Sequence, residues 1–505
     1  MGLFSRKSSK ASTKAQADTS SIQSGNSGSL SITSPTTSKP MNGQSSPYIP
    51  STPAIPEINL PKPPDPALDP AGYLRSIHAV RERAKIVFEK AKRNELRHFH
   101  VEWDKFQDTA AYVTSIIKRD FAPDFASIPP HGRWQHFEVG GRPRIDQLLK
   151  SWSSVDSQER CRRLLDLFVV SVLIDAGAGS RWQYKSSESG RFYRRSEGLA
   201  VASLEMFKSG IFSSDPDQPY QVDGQGLKKL TTEALMQGLQ VTDKNPMDGV
   251  EGRASLLIKL GDALKNQEFF GVDARPGNML DYLLSHSTTQ ASSVPIVALP
   301  TLWSVVMDGF GSIWPTSRTM IDGISLGDAW PCNDLPESPP ARPWESIVPF
   351  HKLSQWMTYS LMVPMTRLLH IHFAGTELMT GLPEYRNGGL LVDTGLLVLK
   401  DDAMDRGIIN YNLNSKLAGQ PNVEVVPLFG PDDDAVVEWR ALTVGFLDEL
   451  LVEVNKALGL SGSNRLSLAQ MLEAGTWKGG RELAEVSRPN TKEPPIMIIS
   501  DGTVF

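Results

Sequence analysis

Glu384, Tyr385 and Arg386 stand in a row inside Gly381–Leu399, which reads GLPEYRNGGLLVDTGLLVL. A carboxylate, a phenol and a guanidinium are thus presented at one point of the chain. Asn387-Gly388-Gly389 follows, and the pattern predicts a tight turn, because Asn and Gly tolerate positive φ. Such a turn holds the three polar side chains at the mouth of the apolar run behind them. That set suits a polar ligand carrying a sugar or a phosphate. The plainer reading is a solvated Glu and Arg in a Pro/Gly-rich loop, and only residues elsewhere in the chain separate the two.

A second carboxylate, Asp175, ends Cys161–Asp175, a run that is apolar nearly all round after its first turn and predicts a buried helix. The helix stops at Asp175-Ala-Gly-Ala-Gly-Ser-Arg-Trp182. A carboxylate at that position is either salt-bridged or turned towards a ligand, since leaving it unpaired is costly. Ile128–Phe137 crowds His131, Arg133, Trp134 and His136 into one loop, which either lines a pocket or lies on the core as a Trp-anchored segment. Asp308 is embedded in the aromatic, Gly-rich stretch Leu299–Pro315. Glu438 and Arg440 fall in the early turns of a helix opened by Asp432-Asp433-Asp434.

Other chemistries find no residues. The nine histidines make no metal-ligand pattern: His98 and His100, like His370 and His372, are two apart and point to different faces of a helix. There is no His-Glu-x-x-His, no Gly-x-Ser-x-Gly elbow and no dinucleotide or phosphate-loop fingerprint. Neither a metal nor a cofactor is expected. Cys161 and Cys332 are too few for a disulfide framework or a thiolate zinc site, and they suggest a reducing, cytoplasmic setting. A net charge of −5 argues against a general nucleic-acid binder. The longest apolar run, Leu164–Ile174, is too short for a membrane span, and no apolar segment of a signal peptide follows Met1.

The elements that must position these residues read as mostly helical. Residues 1–66 are Ser/Thr/Pro-rich and predict a disordered tail. Met1-Gly2-Leu3-Phe4-Ser5-Arg6 approaches a myristoylation signal, but Arg6 stands where Ser or Thr belongs, and an ordinary flexible tail is the preferred reading. From residue 67 to 505 a single mostly helical domain is expected, with few strands, although its size allows two lobes. Leu74, Ile77, Val80, Ala84, Val87 and Ala91 keep helical spacing, as do Trp103, Phe106, Ala110, Val113 and Ile117. Phe350–Phe373 predicts a long apolar helix kinked at Pro364, and Val436–Leu458 an amphipathic one closed by Gly459. Ile496–Phe505 has strand character.

With these motifs in hand, the chain resembles the uracil catabolism protein 4 family of fungi and bacteria over residues 69 to 505. The resemblance rests on Val80-Arg-Glu-Arg-Ala84, the His131–Phe137 loop, Ile174–Gly179, Leu382–Gly389 and Ser500-Asp-Gly-Thr-Val504. It implies a place in pyrimidine degradation and leaves the reaction open. The second half is also similar to the queuosine salvage protein, an N-glycosidase related in fold to helix-hairpin-helix DNA glycosylases. That family's Asp-Tyr-Arg motif meets Glu384-Tyr385-Arg386 here, with one extra methylene on the acid. Its Asp-bearing helix end resembles Asp175–Trp182, its Glu-bearing helix Val437–Arg440, and its late Trp resembles Trp477.

Together the resemblances imply an N-glycosidase acting on a ribosylated, nucleoside- or nucleotide-derived intermediate of uracil breakdown, such as a ribosylurea. Glu384 would be the catalytic carboxylate. Asp175 and Arg386 would hold sugar hydroxyls or phosphate, and Trp182, Tyr385 and Trp477 would wall the pocket. Glu438, Arg440 and Asp308 complete the expected set. The rival reading is a non-catalytic scaffold that contacts other enzymes of the uracil pathway. The two differ in whether Asp175, Glu384 and Arg386 converge on one closed pocket.

Overall fold

Ser76 starts the first long helix by accepting the N–H of Ala79, and the chain winds as α1 over Ile77–Lys92. It buries Ile77, Val80, Ala84, Val87 and Ala91, the face that their spacing predicts. The structure is a computed structural model and describes residues 58–179, 181–286, 295–315, 317–335, 342–414 and 424–499. These belong to one compact unit, Ile55–Phe505. Residues 1–57, with the tail and its first six residues, and residues 500–505 lie outside the described residues.

α2 spans Phe106–Phe121 and buries Ala110, Val113 and Ile117. A single short helix, α3 (Arg133–Phe137), forms inside the His/Arg/Trp loop, with Arg133, Trp134, His136 and Phe137 all buried. α4 (Ser157–Leu173) is capped by Asp156 and is sunk in the core from Leu164 onwards. Asp166 within it is fully buried and is satisfied by Arg275 at 2.8 Å and by the N–H of Gly277 at 2.7 Å. α5 (Arg195–Lys208) and α6 (Val250–Ala263) flank its C-terminal end. α7 (Lys352–Leu369) lies along α4 and carries Pro364.

α8 (Tyr385–Asp393) corrects the expected turn at Asn387-Gly388-Gly389, which is helical. Glu384 caps this helix through both carboxylate oxygens, accepting the N–H of Arg386 at 2.8 Å and of Asn387 at 2.7 Å. The glycines serve close approach rather than positive φ. A Cβ on Gly388 would stand 2.8 Å from the Trp439 ring. Trp439 belongs to α9 (Asp434–Ala457), the helix opened by the aspartates and packed on α1.

α10 (Trp477–Ser487) packs across α8. It is preceded by one π-helical turn, Leu472–Thr476, a geometry that often marks functional sites. Strands come only as short pairs among the described residues. Phe99–Val101 runs antiparallel to Leu397–Leu399, Ile296–Ala298 runs parallel to His372–Ala374, and Leu428–Phe429 runs parallel to Met497–Ile498. The chain is therefore mostly helical, as its periodicity predicts. Among the described residues no helix is long and apolar enough to cross a membrane.

Candidate functional site

The end of α4, the first turns of α5, α7, α8 and α10, and the segment Glu493–Ile498 enclose a cavity of about 230 Å³. Asp175, Glu384, Tyr385, Arg386 and Trp477 all line it. With His131 and His136, which line it too, seven of the residues singled out from the sequence are brought together from stretches far apart in the chain.

Asp175 follows the C-cap of α4, where Arg133 Nη1 donates to one of its oxygens at 2.8 Å. Arg133 is itself fully buried, anchored on the Ser171 hydroxyl at 2.7 Å and its carbonyl at 3.0 Å. The loop after Asp175 is pinned from below by Arg253, which donates to the carbonyls of Ile174 at 2.9 Å, Ala176 at 2.6 Å and Gly177 at 2.9 Å. Burial pushes the Arg253 guanidinium down to about 10 despite Asp175 and Asp248 nearby.

Glu384 is held by the first turn of α8, which fixes the direction of its carboxylate and leaves its remaining lone pairs open. Lys352, first residue of α7, is half-buried against the same cavity. Burial lowers its pKa, while Glu384 and Asp175 pull the other way. Its own N–H is held by Asp328 at 2.9 Å. Burial raises the Tyr385 phenol, and the Glu493 and Glu384 carboxylates push it the same way, so it is a neutral donor at physiological pH.

Part of the lining is aromatic. Trp356 lies 4.6 Å from the His131 ring and 5.5 Å from His136, and Trp477 lies 6.0 Å and 5.6 Å from the same two. Glu473, on the π-helical turn, fixes His131 through Nδ1 at 2.6 Å. Burial, with Arg133 beside it, keeps the His136 imidazole below its ordinary pKa and neutral. Such a box accepts a flat, uncharged group. Among the described residues no three His, Cys, Asp or Glu side chains are grouped to hold a metal ion.

Four residues of the expected set lie elsewhere. Trp182 is buried in the core, donating to the Leu239 carbonyl at 2.9 Å. Glu438 is fully buried and accepts the N–H groups of Arg97, His98 and Phe99 at 2.9, 3.0 and 2.9 Å. Arg440 makes a buried bidentate pair with Asp328, at 2.8 and 2.7 Å, and stacks over Phe350. Asp308 is on the surface, paired with Arg75 at 2.8 Å. Arg440 still reaches the site indirectly, because its partner Asp328 caps α7 at Lys352.

Sequence reasoning missed Lys352, Arg195, Arg481, Glu197 and Trp356 as cavity residues. One signal was available. Lys352 and Arg195 open helices, where a cation opposes the macrodipole, and such a mismatch calls for an explanation.

The molecule is thus a mostly helical protein whose helix starts converge on a charged, aromatic-walled cavity. Over residues 73–505 the chain matches the family described as protein of unknown function (DUF1688), and it belongs to that family. It is 46% identical over 445 residues to Uracil catabolism protein 4 of Lachancea kluyveri, covering 86% of this chain and 99% of that protein. It is 44% identical over 434 residues to Protein urg3 of Schizosaccharomyces pombe (strain 972 / ATCC 24843), covering 86% and 98%.

Proposed function

We propose that this chain acts in uracil degradation as an N-glycosidase, hydrolysing the ribosyl C–N bond of a ribosylurea-type intermediate. The name of one relative supports the pathway. The reaction rests on one observation: Asp175, Glu384, Tyr385, Arg386 and Trp477 line a single, partly open cavity. A scaffold needs no such convergence.

In this reading the flat nitrogenous fragment lies between Trp477, Trp356 and the two imidazoles. The sugar faces Glu384 and Asp175. As the C1′–N bond lengthens, positive charge develops on the ribosyl ring, and the Glu384 carboxylate stabilises it. A water activated by that carboxylate adds its oxygen to C1′ while its proton passes to Glu384. The bonding pair leaves with nitrogen, which takes a proton from the Lys352 ammonium. Glu384 then returns its proton to Lys352, and the sum is one water consumed, one free ribose and one free urea-type fragment. Asp175, oriented by Arg133, accepts from sugar hydroxyls.

The test incubates the pure protein with ribosylureas and with pyrimidine ribosides and assays free reducing sugar against free urea. Equimolar release of both is expected from a ribosylurea. Tight binding without sugar release from any member of the panel would point to the scaffold instead.

A further inference from the structure

Among the described residues Arg386 is a buried cation without a counter-ion. It is 9% exposed, and among the same residues its guanidinium makes one hydrogen bond, from Nη1 to the Lys492 carbonyl at 3.4 Å. Among the described residues Nε and Nη2 have no partner, and no carboxylate stands within about 4 Å of it, the reach of an ion pair. Glu384 and Glu493 attract it from further off. Two more guanidiniums, Arg195 and Arg481, line the same cavity. Burial, with these like charges beside it, depresses Arg386 to about 10.

The fold brings these guanidiniums to one cavity at a backbone cost. Arg195 takes φ 54°, a conformation costly for a residue with a Cβ. It opens α5, which has no side-chain cap, and Ser196 and Glu197 of that first turn also face the cavity. Arg386 lies in the first turn of α8. The uncapped N-terminus of α5 therefore adds its positive end to the three guanidiniums. The nearby carboxylates are already engaged: Glu197 is paired with Arg481, and Glu493 is 3.9 Å from Arg195. Arg386 is therefore the guanidinium of the three that the described carboxylates leave unpaired, and a bound anion would complete the set there.

We propose that Arg386, Arg195 and Arg481 bind a phosphomonoester, so that the substrate is the 5′-phosphate of a ribosyl compound. This rests on the reading that a ribosyl group occupies the cavity. A carboxylate offers one fork and one charge. A phosphomonoester offers two charges and three oxygens, which several guanidiniums can share. Arg386 follows Glu384 by two positions, in the first turn of the helix that Glu384 caps. The phosphate end thus adjoins the carboxylate assigned to the anomeric carbon.

The test is calorimetric binding of ribose 5-phosphate, ribose and inorganic phosphate to the full chain. Ribose 5-phosphate should bind at least about tenfold more tightly than ribose, with inorganic phosphate competing for the same site. Arg386→Gln should erase that preference. Arg195→Asn should weaken it while suiting the positive φ, which keeps the test meaningful if Arg386→Gln folds poorly. Equal affinity for ribose and ribose 5-phosphate in the parent protein, or an unchanged preference in both variants, overturns the proposal. Failure of the glycosidase reading shows separately, as absent sugar release from phosphorylated and unphosphorylated substrates alike.

Discussion

Glu438 and Asp334 are both fully buried, and they face each other at the start of α9. Burial, then the neighbouring Asp334, raises the Glu438 pKa well above the carboxylate range, against the pull of three backbone N–H donors. The folded protein therefore holds a proton here that the unfolded chain has released. Stability from this group is present at low pH and declines as pH rises from about 5 to about 9. Glu438→Gln keeps an oxygen for the backbone N–H groups and offers an N–H to Asp334. Melting curves across that range should fall for the parent protein and be flatter for the variant; parallel curves would show that the pair shares no proton. The same residue shows what a sequence conceals. A Glu two positions before an Arg in an early helical turn reads alike whether it serves a ligand or three backbone amides. Trp182 misleads similarly, since its place after a Gly-rich helix end reveals nothing of the Leu239 carbonyl that takes its N–H.

At the scale of elements, the site depends on how α8 meets α10. A Cβ on Gly480 would stand 2.0 Å from the Arg386 carbonyl oxygen. Gly480→Ala must therefore push apart the helices that carry Arg386 and Trp477. Overpacking of this kind costs about 1–3 kcal/mol. The expected outcome is a lower denaturation midpoint together with lost turnover, and an unchanged midpoint would show that the helices yield without cost. The helices α1, α2 and α9 were legible because apolar residues recur every three or four positions along them, and α4 because its run is apolar nearly all round. α8 was not. Its Gly388-Gly389 argues locally for a turn, and only the Glu384 cap and the closeness of Trp439 reverse that preference. The convergence of α5, α7 and α8 was hidden too, since periodicity shows which face of a helix is buried and not where its first turn points.

For the molecule as a whole, one mostly helical unit holds the family match, and the described residues run up to it from Ile58. Residues 1–54 carry few apolar side chains to bury, so deleting them should leave the melting temperature nearly unchanged. Leu60 is best retained, because it packs at Gly375. A fall of many degrees on that truncation would show that the segment belongs to the fold. The larger question is whether the assembled cavity performs chemistry, and it is settled most directly at Glu384. Glu384→Gln preserves size and one cap acceptor but removes the charge at the developing cation. In the proposed reaction on a ribosyl substrate, its rate of sugar release should fall below the parent's by about a hundredfold or more, equivalent to about 3 kcal/mol. Glu384→Asp, which restores the charge one methylene back, should fall between the two. If Glu384→Gln releases sugar at the parental rate, Glu384 only caps α8, and the central claim fails.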